Sequence, residues 1–224
     1  MNFKQHSYFH VTIDYKTMER NYFIMKSPYE EQPIEAWVDI TKEIVNEHPL
    51  DFDVITSVVL EAWERILDTK IGGELEIGKD VFPSPQIMGN YLHELIPALL
   101  SRKYPEKWRK EIIKEDKDVV YIPDTDYSVE IKTSSNAYNV FGNRSYGQEN
   151  SKNNSGKSKS GYYITVNFEK FNNSKPDYKP KIKKIRFGWI DHTDWKAQKS
   201  ATGQAAPLSK EARENKLILL YESK

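Results

Sequence analysis

The chain has 224 residues, with 33 Lys and Arg against 33 Asp and Glu, 38% hydrophobic residues and no Cys. A chain of this length buries a sizeable core as one α/β or α+β domain, and with 29% charged residues and no run of about 18 apolar residues it is not an integral helical membrane protein. The missing Cys excludes disulfides, thiolate zinc sites and a Cys nucleophile; with no apolar leader at Met1–His6, a reducing, cytoplasmic setting is expected.

Residues 7–24 are rich in Tyr, Phe, Ile and Val and read as strand-like or mixed. Residues 35–47 and 52–69 carry apolar side chains at helical spacing, the second run through Val54, Ile55, Val58, Val59, Ala62, Trp63, Ile66 and Leu67 before a stop near Gly72-Gly73. Phe82-Pro83-Ser84-Pro85 is a helix entry, and Ile87, Met88, Tyr91, Leu92, Leu95, Ile96, Leu99 and Leu100 continue it as an amphipathic helix kinked at Pro97. From residue 117 the pattern changes to short strands over 118–122, 128–133, 161–168, 182–190 and 217–221, the first two joined by a turn through Pro123-Asp124-Thr125-Asp126. A helical or looped insertion is expected near 134–148, and 149–160, without one hydrophobic residue, cannot pack and is a loop. The reading is one domain over 1–224, with an N-terminal helical layer in 1–80, a sheet-containing core in 85–221, and loops at about 134–160 and 191–204.

The zero net charge hides an asymmetry: residues 1–100 hold 8 Lys and Arg against 17 Asp and Glu, whereas residues 101–224 hold 25 against 16. A basic second half suits a polyanionic partner, because Lys and Arg gain affinity by neutralising phosphates; the plainer alternative is a solvated surface that segregates its charges. Two familiar motifs fail. Gly156-Lys157-Ser158 ends like a nucleotide-binding loop, but Ser151 stands where the first glycine belongs; His93-Glu94 begins like a zinc-protease helix, but position 97 is Pro.

The chemistry concentrates in Pro123-Asp-Thr-Asp-Tyr-Ser-Val-Glu-Ile-Lys132. Glu130 and Lys132, two apart on a strand, project from one face while Val129 and Ile131 enter the core. Asp124, at the end of the preceding strand, is expected roughly 5–8 Å from Glu130 across a tight turn. Asp124, Glu130 and the Ile131 carbonyl then offer hard oxygen ligands of the kind Mg²⁺ prefers, with Lys132 beside the ion to orient a water and steady charge on phosphate. Asp126 competes with Asp124 as ligand, but lies roughly 13 Å from Glu130 if residues 126–130 are extended. The plain alternative is a hairpin with an exposed charge set.

Pro123-Asp124 followed by Glu130-Ile131-Lys132 resembles the PD-(D/E)XK nuclease signature. Three further stretches, 130–135 (Glu-Ile-Lys-Thr-Ser-Ser), 141–148 (Phe-Gly-Asn-Arg-Ser-Tyr-Gly-Gln) and 186–195 (Arg-Phe-Gly-Trp-Ile-Asp-His-Thr-Asp-Trp) running on to Thr202-Gly203-Gln204, are similar to the ScaI-type family of type II restriction endonucleases, over about residues 85–221. The resemblance implies an α/β restriction-endonuclease-like core with a central mixed sheet flanked by helices. It also implies Mg²⁺-dependent hydrolysis of double-stranded DNA at a short palindromic site, a homodimer, and a cognate methyltransferase protecting the host. It makes Glu94, on the helix before the sheet, a candidate further acid, against the alternative of an ordinary exposed glutamate. The alternatives in function are a PD-(D/E)XK nuclease of repair or recombination, and a non-catalytic DNA-binding module with a decayed site.

Asn136, Asn139, Asn143, Arg144, Ser145, Tyr146 and Gln148 crowd the segment after the catalytic strand. Arg pairs bidentately with guanine and Asn or Gln with adenine, so this segment is expected to contact DNA. Lys152, Lys157 and Lys159 suit phosphates. A second cluster, Asp191-His192-Thr193-Asp194-Trp195 with Gln198 and Lys199, follows a strand and is a further candidate reader.

Overall fold

A computed structural model describes residues 26–147, 158–172, 174–175, 178–196 and 204–223. The strand-like tract 7–24, most of the 149–160 tract, and the candidate DNA contacts Gln148, Lys152, Lys157, Gln198 and Lys199 lie outside the described residues.

Helix α1 (Trp37–Asn46) is followed by α2 (Phe52–Leu67), whose entry is fixed by Asp51: its side chain accepts the backbone N–H groups of Asp53 and Val54, two donors a helix start otherwise leaves unsatisfied. The apolar stripe read from the sequence is the stripe that packs, with Ile55, Val58, Val59, Ala62, Trp63 and Ile66 buried. A small hairpin, β1 (Lys70–Ile71) and β2 (Leu75–Glu76), turns through Gly72 and Gly73 at φ 65° and 80°, a region that favours glycine. Helix α3 (Pro85–Lys103) starts as expected, with Ser84 accepting from the Ile87 N–H and Pro85 in the first turn. It carries Pro97 within it; the missing N–H is the one that would have bonded the His93 carbonyl.

The remaining elements are β3 (Trp108–Lys110), β4 (Val119–Tyr121), β5 (Val129–Ser134), β6 (Phe141–Asn143), β7 (Gly161–Phe168), β8 (Ile182–Ile190), β9 (Ala205–Pro207), α4 (Lys210–Asn215) and β10 (Leu217–Glu222). Six strands form one mixed sheet in the order β10-β8-β7-β5-β4-β3, in which the pair β5 and β7 is parallel and the others are antiparallel. The parallel pair requires a crossover, and it is this crossover, residues 135–160, that holds β6, one strand of a second small sheet with β9.

The sheet buries both faces. On one, Val129 and Ile131 of β5, Ile164 and Val166 of β7 and Ile185 and Phe187 of β8 pack with the buried residues of α2 and α3. On the other, Tyr163 and Ile190 meet Val140, Trp195, Ala206, Leu208, Ala212 and Leu217. Gly188 allows the closest approach in that second layer: a Cβ there would lie 2.0 Å from the Lys216 carbonyl oxygen. This is an α/β architecture with a mixed central sheet flanked by helices. Sequence patterning anticipated α1, α2, α3 and the long strands, but not β3, the β6–β9 pair or α4. Among the described residues no helix is long and apolar enough to cross a membrane.

Candidate active site

Strand alternation places Glu130 and Lys132 on the same face of β5, and the structure joins them. Lys132 Nζ donates to Glu130 Oε1 at 2.7 Å, with side chains only 12% and 4% exposed. An ion pair this enclosed keeps both charges in a medium where they act strongly on whatever enters beside them.

The carboxylate that the structure sets against β5 is not the expected one. Strands β4 and β5 are registered through Val119↔Val129, which centres their connection on residue 124. Asp124 therefore sits at the apex, where its Oδ1 accepts the Asp126 N–H at 3.1 Å and caps a 3-10 turn, Thr125–Tyr127. Asp126 lies in the same exposed turn, its carboxyl pushed up by partial burial and then by the neighbouring Asp124 charge. The expectation that Asp124 is a cross-strand neighbour of Glu130 fails because β4 ends at Tyr121 and residues 122–128 are taken up by the turn.

Carrying the register one pair further sets Asp118 opposite Glu130. Asp118 Oδ2 accepts the Ile131 N–H at 2.7 Å, so the carboxylate takes a strand donor of β5, and the same oxygen lies 3.4 Å from His93 Nδ1. Asp118 is the residue sequence reasoning missed. Its signal was an acid directly before an apolar strand, twelve positions ahead of Glu130, but which acid faces Glu130 depends on the size of the intervening turn.

His93, Glu130 and Lys132 border a cleft of about 550 Å³; Asp118 is not among its lining residues but accepts the Ile131 N–H next to Glu130 and lies beside His93, which lines it. Asn90 and His93 reach it from α3, Glu130, Lys132 and Thr133 from β5, Asn143, Ser145 and Tyr146 from the crossover, and Lys159 from the approach to β7. The helix can contribute because Gly89 lets it press on β5: a Cβ there would lie 2.6 Å from Thr133 Oγ1. Glu94 is not among the lining residues; it is exposed and paired with Lys110 of β3. Partial burial lowers the pKa of Lys159, whose ammonium bonds the Ser145 carbonyl.

The expected DNA contacts divide. Asn143, Ser145, Tyr146 and Lys159 face the cleft, whereas Asn136 and Asn139 hold the crossover itself. Asn136 Oδ1 accepts the Tyr138 and Asn139 N–H groups, Asn139 Oδ1 accepts from Val140, and both main-chain carbonyls take Asn167 Nδ2. Arg144 is partly buried and its N–H donates to the Gln204 carbonyl, which ties β6 to β9. In the second cluster His192 is half-buried and its N–H donates to Ser160 Oγ. The flanking acids are structural: Asp191 and Asp194 take Lys216 Nζ at 2.8 and 2.9 Å, Asp191 also accepts Trp189 Nε1, and the ammonium lies over the rings of Tyr29 and Trp37.

Among the described residues no three His, Asp or Glu side chains gather as a metal site. Asp118, which precedes β4 and bonds the Ile131 N–H, and Glu130 and the Ile131 carbonyl on β5 are nonetheless hard oxygen donors close in the fold, a donor set that fits a divalent cation of the Mg²⁺ type. Two carboxylates, a lysine and a cleft lined by amides and a second lysine make equipment for hydrolysing a phosphate ester.

The comparisons with known proteins agree. The ScaI restriction endonuclease family matches residues 27–221. The type II restriction enzyme ScaI of Streptomyces caespitosus is 43% identical over 195 residues, covering 87% of this chain and 85% of that enzyme. The chain belongs to this family. No solved structure gives a match.

Proposed function

We propose that this type II restriction endonuclease hydrolyses double-stranded DNA at a short palindromic site, using Mg²⁺ held by Asp118, Glu130 and the Ile131 carbonyl on a PD-(D/E)XK core that is a single endonuclease domain. The observation that carries the reading is the grouping at β5 of Asp118, whose Oδ2 accepts the Ile131 N–H, with the Glu130–Lys132 pair.

Asp118 and Glu130 would hold the divalent cation beside the scissile phosphate, their negative charges offset by it. The metal, when bound, supplies positive charge to that phosphate and polarises the attacking water. Lys132, held by Glu130, orients a water in line with the leaving oxygen and stabilises charge gathering on the phosphate oxygens. Lys159 adds a second cation at the mouth of the cleft, and Asn143 and Ser145 offer hydrogen-bonding groups to the DNA. The reading carries with it a homodimer on a two-fold DNA site, a cytoplasmic location where the DNA is, and a cognate methyltransferase.

Plasmid digestion tests the assignment. Asp118→Asn and Lys132→Ala are each expected to lower the cleavage rate by at least about a hundredfold, as loss of one electrostatic contributor does elsewhere. Asp124→Asn should cut into the same discrete bands at close to the unsubstituted rate. If Asp124→Asn is dead and Asp118→Asn active, the carboxylate pair is misassigned; a smear in place of bands would mean a nuclease without a fixed site.

A further inference from the structure

The geometry points to Tyr146 as a positioning residue that sets the Glu130 carboxylate for its metal, a role beyond the DNA contact its place in the sequence implied. Tyr146 Oη donates to Glu130 Oε1 at 2.7 Å, the oxygen that also accepts Lys132 Nζ, and Lys132 Nζ lies 4.7 Å from the centre of the Tyr146 ring. One side chain thus touches both members of the buried ion pair, through its hydroxyl and through its face.

The ring has little freedom. Trp195 meets it edge-on with centroids 5.3 Å apart, and behind it Gly142 comes so close that a Cβ would lie 2.7 Å from Tyr146 Cγ. A hydroxyl fixed in this way holds one carboxylate oxygen toward the crossover and so determines which way the other faces. Outer groups that hydrogen-bond a ligating carboxylate orient it, and losing one typically weakens metal affinity or activity about 10–100-fold. Tyr146 lies in the same crossover as Asn143 and Ser145, so the segment facing the DNA also braces the catalytic carboxylate.

The inference rests on Glu130 being a metal ligand, and the test separates the two. Tyr146→Phe keeps the ring, its packing and its contact with Lys132 and removes only the hydroxyl. Binding of Mn²⁺ alone to the DNA-free protein, followed by electron paramagnetic resonance, should weaken about 10–100-fold in Tyr146→Phe. The Mg²⁺ concentration for half-maximal plasmid cleavage should rise by a similar factor, the rate at saturating Mg²⁺ should change much less, and DNA affinity in EDTA should stay the same. Unchanged Mn²⁺ affinity in Tyr146→Phe overturns the inference, and so does a loss of DNA affinity in EDTA with metal binding intact, which would make the residue a DNA contact. Glu130→Gln is the control: if it binds Mn²⁺ as tightly as the unsubstituted protein, the metal site fails and the role of Tyr146 with it.

Discussion

His48 is a basic side chain that the fold keeps neutral. It is buried between aromatic rings, with Tyr162 at 4.3 Å and Phe187 at 4.9 Å between centroids. Nδ1 accepts the Leu50 N–H and Nε2 donates to the Tyr127 carbonyl, so the neutral ring has both of its hydrogen bonds. Burial pushes its pKa down to about 4, against about 6.5 in an unfolded chain. Between those values the unfolded chain binds a proton that the folded protein excludes, so stability falls as pH drops from 6.5 toward 4 and this contribution is complete above 6.5. The full difference is about 3 kcal/mol, with a slope of at most about 1.4 kcal/mol per pH unit. Urea unfolding between pH 7 and 4.5 should show His48→Phe as less stable at neutral pH, since two backbone groups lose their partners, but with a flatter pH profile than the unsubstituted protein. Parallel profiles would mean that the acid sensitivity lies in other groups.

The contact of α3 with β5 decides where the cleft opens. Gly89 costs α3 about 1 kcal/mol of helix propensity relative to Ala, yet a Cβ would meet Thr133 Oγ1 at 2.6 Å. Overpacking typically costs about 1–3 kcal/mol, so Gly89→Ala should come out neutral to destabilising despite the better helix former. Removing the opposing oxygen with Thr133→Ala in the same chain should turn the Gly89 substitution stabilising by up to about 1 kcal/mol, a coupling that a double-mutant cycle in denaturant reads directly. Additive effects would show that the helix is free to shift. Elements with their own periodicity are legible in the sequence: the stripe of α2, the cap and proline of α3, and the alternation that puts Glu130 and Lys132 together. What escapes it depends on distant partners. Trp108–Lys110 is too short to read as a strand until β4 lies beside it, and Ala205–Pro207 pairs with residues some sixty positions earlier. Asp118 escapes for the same reason: facing Glu130 is a property of the register, and the register is set by a 3-10 turn that the Pro-Asp-Thr-Asp sequence does not disclose. Asp191 and Asp194, read as part of a second candidate DNA-reading cluster, are held instead by a lysine more than twenty residues later.

Across the whole molecule the charge asymmetry acquires a location. Among the described residues, the acidic first hundred supply α1, α2 and most of α3, which also lines the cleft through Asn90 and His93, and the basic remainder supplies the six-stranded sheet and the crossover. A palindromic duplex presents each strand in equivalent geometry, which a two-fold dimer matches and a monomer does not. Salt dependence gives this proposal a quantitative form. Each phosphate neutralised contributes about −0.9 to the slope of log affinity against log salt. If Lys159 contacts one phosphate per protomer, Lys159→Ala in a homodimer removes two contacts from each complex and should reduce the magnitude of the slope by about 1.8, where a monomer would lose about 0.9. The loss should be equal on cognate and scrambled duplexes, because phosphates carry no sequence. Arg144→Ala should instead cost roughly 1–3 kcal/mol per contact at the cognate site and little on scrambled DNA, if its guanidinium reads a base. Titrations at several salt concentrations without divalent metal, alongside sedimentation of the complex, test stoichiometry and readout together. A slope change near 0.9 with a complex of one protomer per duplex would reject the dimer. A cognate-selective loss from Lys159→Ala would move that lysine from the phosphate backbone to the bases.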